Sequence, residues 1–104
     1  MRDEGPGKKS TVLLNHRMNL EILTPEKKLF SDDVYGVQLP GVTGLFEILE
    51  RHAPLVSALK AGRIKVLKDK SHNEAYFDIQ SGFVEVVANN VIVLAEGGSS
   101  VDAK

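Results

Sequence analysis

The sequence predicts an all-β fold, a two-sheet β-sandwich of short strands. Three observations carry this. Runs rich in Val, Ile, Leu and Phe recur at intervals of roughly eight to twelve residues, divided by Pro, Gly, Asn or Asp, the spacing of a sandwich. No stretch sustains the apolar spacing of a helix. Asn89 and Asn90 stand between two apolar runs, and asparagine tolerates positive φ, so a two-residue hairpin turn is expected there.

In chain order, residues 1–17 carry Gly5, Pro6, Gly7, Lys8 and Lys9 without a sustained period, and read as a flexible extension. Strands are expected near Asn19 to Leu23, Asp33 to Leu39, Gly44 to Leu49, Leu55 to Leu59, Arg63 to Leu67, Ala75 to Gln80, Phe83 to Ala88 and Val91 to Glu96. Residues 97–104 open with Gly97, Gly98, Ser99 and Ser100, can bury little apolar area, and read as a flexible tail. The folded domain is therefore expected over 18–96.

Along the last two strands, Val84, Val86 and Ala88 share one face, while Phe83 and Val87 share the other with Glu85. Both faces are substantially apolar. Such a strand is either enclosed between layers or covered by a partner, because a solvent-facing side normally reads polar. A local quirk of packing is one reading, and a protein-binding face, left as an apolar patch on the free chain, is the other.

A length of 104 residues gives one domain able to bury roughly two-thirds of its unfolded surface. Cysteine is absent, which removes disulfides and thiolate metal sites and leaves the compartment open. With 13 Lys and Arg against 14 Asp and Glu, no global field draws the chain to nucleic acid or anionic lipid. The longest apolar run, Val91 to Ala95, falls far short of the ~20 residues that span a bilayer, and residues 1–10 lack a signal-peptide core. The chain is expected to be soluble, or peripheral through a partner.

No catalytic, metal or nucleotide site is expected. Gly36 and Gly41 have the spacing of a phosphate-binding loop and Thr43 fits its hydroxyl position, but Val42 stands where the lysine belongs and no helix is expected to follow. His16, His52 and His72 lie in separate segments without ligand spacing. Ser31, Ser57 and Ser81 lack the G-x-S-x-G setting, and the neighbours Asp32 and Asp33 read as solvated turn formers. Lys60, Arg63, Lys65, Lys68 and Lys70 face the single Asp69 in their segment, yet no aromatic there could stack a base. A solvated polar face is the better reading.

The stretch Leu20-Glu21-Ile22-Leu23-Thr24-Pro25-Glu26-Lys27-Lys28-Leu29-Phe30-Ser31 resembles the opening of the epsilon-subunit family of bacterial F-type ATP synthases. Val37-Gln38-Leu39-Pro40-Gly41, Gly44-Leu45-Phe46-Glu47-Ile48, His52-Ala53-Pro54-Leu55-Val56-Ser57-Ala58-Leu59, Gly62-Arg63-Ile64 and Ser81-Gly82-Phe83-Val84-Glu85-Val86 follow in the family's order. Asn90 to Glu96 resembles its closing strand. The resemblance implies a sandwich of about eight to ten strands, with Lys28 to Phe30 as a further short one.

It also implies a non-catalytic rotor subunit without cofactors, peripheral to the cytoplasmic face of the bacterial inner membrane. Its partners would be the gamma subunit and the polar loops of the c-ring. By position, Thr24, His52 and Ser57 match gamma-facing residues, and Leu45 matches a ring-facing one. His52 stays open between a structural turn residue and an interface residue. Many relatives have a carboxylate at Leu45, Gly at Glu47 and Pro-Gly at Glu50 and Arg51, so Glu47, Glu50 or Arg51 is an alternative polar contact to the ring. Relatives often continue into two C-terminal helices that inhibit hydrolysis and in some cases bind ATP; nothing after Glu96 could form them, so neither property is expected of this chain. The alternative function is a freestanding β-sandwich protein-binding module. With no Trp and only Tyr35 and Tyr76, a glycan site is poorly supported.

Overall fold

A computed structural model describes residues 17–71 and 73–101. All but Arg17 of the extension expected over 1–17, His16 included, together with His72 and the last three residues, lies outside the described set. The elements are β1 (Met18–Leu23), β2 (Lys28–Val34), β3 (Gly36–Gly41), β4 (Gly44–Leu49), β5 (Leu55–Leu59), β6 (Gly62–Leu67), β7 (Glu74–Ile79), β8 (Ser81–Val87), β9 (Asn90–Glu96) and β10 (Ser99–Val101). Their hydrogen-bonded order is β10-β7-β6-β3-β5-β8-β9-β1-β2, with β4 on the other side of β3. All pairs are antiparallel except β1 with β9.

The path folds over at β3. One layer holds β10, β7, β6, β3 and β4, and the other holds β5, β8, β9, β1 and β2. They meet through the pairing of Gly41 with Leu59 and a bond from the Lys60 N–H to the Pro40 carbonyl, 2.9 Å. Alternation supplies the core: Leu20, Ile22, Val84, Val86, Val91 and Val93 from one layer are fully or almost fully buried, as are Val37, Leu39, Ile48, Ile64 and Val66 from the other.

Three expectations are corrected. The strand expected over Asp33 to Leu39 is two strands, because the chain bends at Tyr35 and passes from one layer to the other. Its inward parity changes there, from Val34 to Val37 and Leu39. The last hairpin turns on Ala88 and Asn89, both left-handed with φ of 50° and 64°, so Ala88 leaves the Val84 and Val86 face and is exposed. The ten strands lie within the eight to ten expected. Ser99–Val101, expected to trail loosely, pairs with Asp78, Phe77 and Tyr76 because Gly97, at φ 62°, turns the chain back onto the sheet.

Candidate docking surfaces

Strands of the second layer place Ala58, Phe83, Leu94 and Leu23 in one outward row and Val56, Glu85, Ile92 and Glu21 in the next. Cross-strand neighbours share a face, so the outward residues form a continuous surface. Val56 is 72% exposed, Phe83 59%, Leu94 55% and Val87 50%. A groove of about 620 Å³ opens between Leu23, Thr24, Pro25, Ala58, Phe83 and Leu94. The sequence pointed to Phe83 and Val87; Val56 and Leu94 were missed, although Val56-Ser57-Ala58 and Ile92-Val93-Leu94 carry the same alternation.

Thr24 borders this groove. Its hydroxyl donates to the Lys27 carbonyl and accepts the Lys27 N–H, each at 3.1 Å, closing the turn after β1. His52 lies at the other end of the layer, ahead of Leu55, which pairs with Val86. Its N–H donates to the Leu49 carbonyl at 3.2 Å. Nδ1 lies 2.8 Å from the Ala53 carbonyl, which can only accept, so the proton sits on Nδ1. Ser57 pairs with buried Val84 and therefore faces the interior, away from Val56 and Ala58. The three residues expected against gamma are thus not one cluster.

Leu45 and Glu47 share the outer side of β4, with Leu45 66% exposed beside Val42 of the β3–β4 loop at 57%. Arg51 lies in the turn beyond the far end of that strand, whose stretch from Leu45 to Leu49 alone is roughly 13 Å at the strand rise. Half-buried Glu50 borders a recess of about 290 Å³ with Tyr35, Leu49 and Lys70. The set expected to face the ring therefore spans the length of β4. Arg51 holds φ 64°, the left-handed backbone that Gly usually supplies.

The outer side of β6 and β7 is polar. Arg63 donates to both oxygens of Asp78 at 2.8 and 3.2 Å, which raises the guanidinium pKa and holds the carboxyl below its ordinary range. The Tyr76 hydroxyl donates to Glu74, chiefly raising its own pKa. Gly41, Val42, Thr43 and Gly44 form a hairpin between two strands, with no helix N-terminus to receive a phosphate. Among the described residues no group of three His, Asp or Glu could hold a metal ion.

Two packed layers, one of them with an exposed apolar outer face, define a β-sandwich with a candidate docking surface. The family model "ATP synthase, Delta/Epsilon chain, beta-sandwich domain" matches residues 17–99. The chain belongs to that family. It is 42% identical over 82 residues to an ATP synthase epsilon chain of Protochlamydia amoebophila, covering 79% of this chain and 55% of that one. With the epsilon chain of Chlorobium limicola it is 47% identical over 78 residues, covering 74% and 86%. The chain thus spans about half the length of the first relative and most of the second. A chain in the Euglena gracilis mitochondrial ATP synthase (OSCP/F1/c-ring) shares the fold at a TM-score of 0.76 and 17% identity, over 88% of this chain and 59% of that chain. A chain of the Tetrahymena thermophila mitochondrial ATP synthase (central stalk/c-ring) does so at 0.66 and 16%, over 79% and 65%.

Proposed function

We propose that the chain is a non-catalytic central-stalk subunit of a proton-translocating ATP synthase, joining the gamma subunit to the c-ring at the cytoplasmic face of a bacterial inner membrane. The outer face of the second layer docks gamma, and β4 with its flanking turns meets the polar loops of the ring. Thr24 and His52 mark the two ends of the gamma surface, while Ser57 supports it from within. Leu45, Glu47, Glu50 and Arg51 supply the ring contact. The work is mechanical: a densely packed sandwich holds two contact surfaces at a fixed relative orientation, so rotation passes between them with little deformation.

The observation that carries this reading is the exposed apolar patch of Val56, Phe83 and Leu94, spread over two adjacent rows, on a chain of the Delta/Epsilon family. A lasting interface covers such a surface, since each large apolar side chain removed from water contributes roughly 1.5–3 kcal/mol. The test is co-purification of the full chain with the gamma subunit of its own organism at micromolar concentration. Wild type is expected to bind, and Phe83→Asp to lose binding while remaining folded by circular dichroism. Equal binding by the variant would overturn the assignment of this face.

A further inference from the structure

The turn from Glu50 to Pro54 is the place where the chain leaves β4 in one layer and enters β5 in the other. A crossing segment of this kind has no strand ladder to orient it. Local bonds within it run from the His52 N–H back to the Leu49 carbonyl and between the His52 ring and the Ala53 carbonyl. A contact from outside the turn comes from Asn89, whose Oδ1 accepts the Arg51 N–H at 2.7 Å across a sequence separation of 38. The Asn89 carbonyl meanwhile accepts the Asn19 N–H at 2.9 Å.

Both partners of the long-range bond have left-handed backbone, at φ 64° each. That conformation aims the Arg51 N–H at the hairpin, and asparagine at the second hairpin position can hold it at low cost while presenting its amide oxygen. One residue therefore ties three segments together: the β8–β9 hairpin, the start of β1 and the layer-crossing turn. The turn in turn sets the path of Ala53 and Pro54, both exposed, into β5, where Val56 begins the apolar face.

We infer that Asn89 is a positioning residue for partner docking: its side chain latches the Glu50–Pro54 turn so that His52, Ala53 and Pro54 continue the gamma-facing surface. This rests on the docking role given to that face. A bond of ordinary net strength corresponds to roughly three- to tenfold in an equilibrium.

The experiment uses the full chain with three variants. Asn89→Gly keeps the left-handed turn and removes the acceptor; Asn89→Asp keeps an acceptor; Phe83→Asp tests the face itself. In Asn89→Gly the Arg51 amide should exchange with solvent several-fold faster while the Asn19 amide keeps its protection, and affinity for the gamma subunit should fall roughly three- to tenfold. Asn89→Asp should restore both. Unchanged Arg51 exchange in Asn89→Gly would overturn the latch outright. Unchanged gamma affinity in that variant, with binding lost in Phe83→Asp, would overturn its docking role and leave the face standing. Unchanged affinity in Phe83→Asp would overturn the docking reading and the inference with it.

Discussion

At the scale of single residues, the closing hairpin sets a steric cost against a hydrogen bond. Ala88 and Asn89 both occupy left-handed backbone, as a type I′ turn demands. Asn89 recovers its cost through its carbonyl and side-chain bonds to Asn19 and Arg51. No hydrogen bond from the Ala88 side chain can do so, and left-handed backbone with a Cβ costs roughly 1–2 kcal/mol. Glycine would remove that cost and add roughly 0.5–1 kcal/mol of unfolded-state entropy. Ala88→Gly is therefore expected to stabilise by about 0.5–1 kcal/mol, raising Tm by roughly 2–8 °C in a domain of this size. A calorimetric Tm equal to or below wild type would contradict the argument. The sequence located the turn within one residue but chose Asn90 over Ala88, because alanine has no turn chemistry to reveal it.

At the scale of elements, legibility followed alternation. From Gly44 to Glu96 each strand alternates inward and outward positions, the inward ones mostly apolar, and the expected strands there lie within one or two residues of the observed ones. Two features escaped. The passage from β2 to β3 occurs at Tyr35, inside the short run from Val34 to Val37, where only a change of parity marks it, and parity is invisible until a core exists. The Gly97–Gly98 pair read as a linker, whereas a Cβ at Gly98 would come within 2.5 Å of Leu29 Cδ1, so the pair is a close-packed bend. Of the candidate site, the apolar character of Phe83 and Val87 was readable. The separation of Thr24, His52 and Ser57 was not, since it depends on which ends of β1 and β5 meet.

The β6–β7 loop shows an element held by a charge. Asp69 Oδ1 accepts the Ser71 N–H at 2.8 Å and Oδ2 accepts the Asn73 side-chain amide at 2.8 Å. The bond from Asn73, then that from Ser71, holds the carboxyl below its ordinary range. The folded state prefers the ionised form, so its contribution is fully present above the ordinary carboxylate value of about 3.9 and is lost as pH falls through the lower folded value. Arg63 acts on Asp78 in the same direction. Urea unfolding from pH 7 to pH 2 should therefore show stability falling below about pH 4, with a shallower fall in Asp69→Asn. Identical slopes for the two proteins would remove Asp69 from the account.

At the scale of the whole molecule, neither layer has a core of its own. Among the described residues the inward face of each sheet is covered by the other, and the strand ladders of the two meet at the pairing of Gly41 with Leu59, beside the bond from the Lys60 N–H to the Pro40 carbonyl. Separation of the layers would expose both apolar faces at once, so the domain should open as one unit, and that unity is what a body transmitting rotation between two surfaces needs. Leu20 tests this. It is fully buried in β1, between Asp32 of β2 and Val91 of β9, and contributes to the shared core. Leu20→Ala should cost roughly 2–5 kcal/mol through lost transfer energy and the cavity left behind, a large part of the 5–15 kcal/mol typical of a domain. Slowly exchanging amides of β6, in the layer that does not contain Leu20, should accelerate by the same factor as those of β9. If β6 kept its protection while β9 lost it, the layers would be independent units, and a rigid link between the two docking surfaces would have no physical basis.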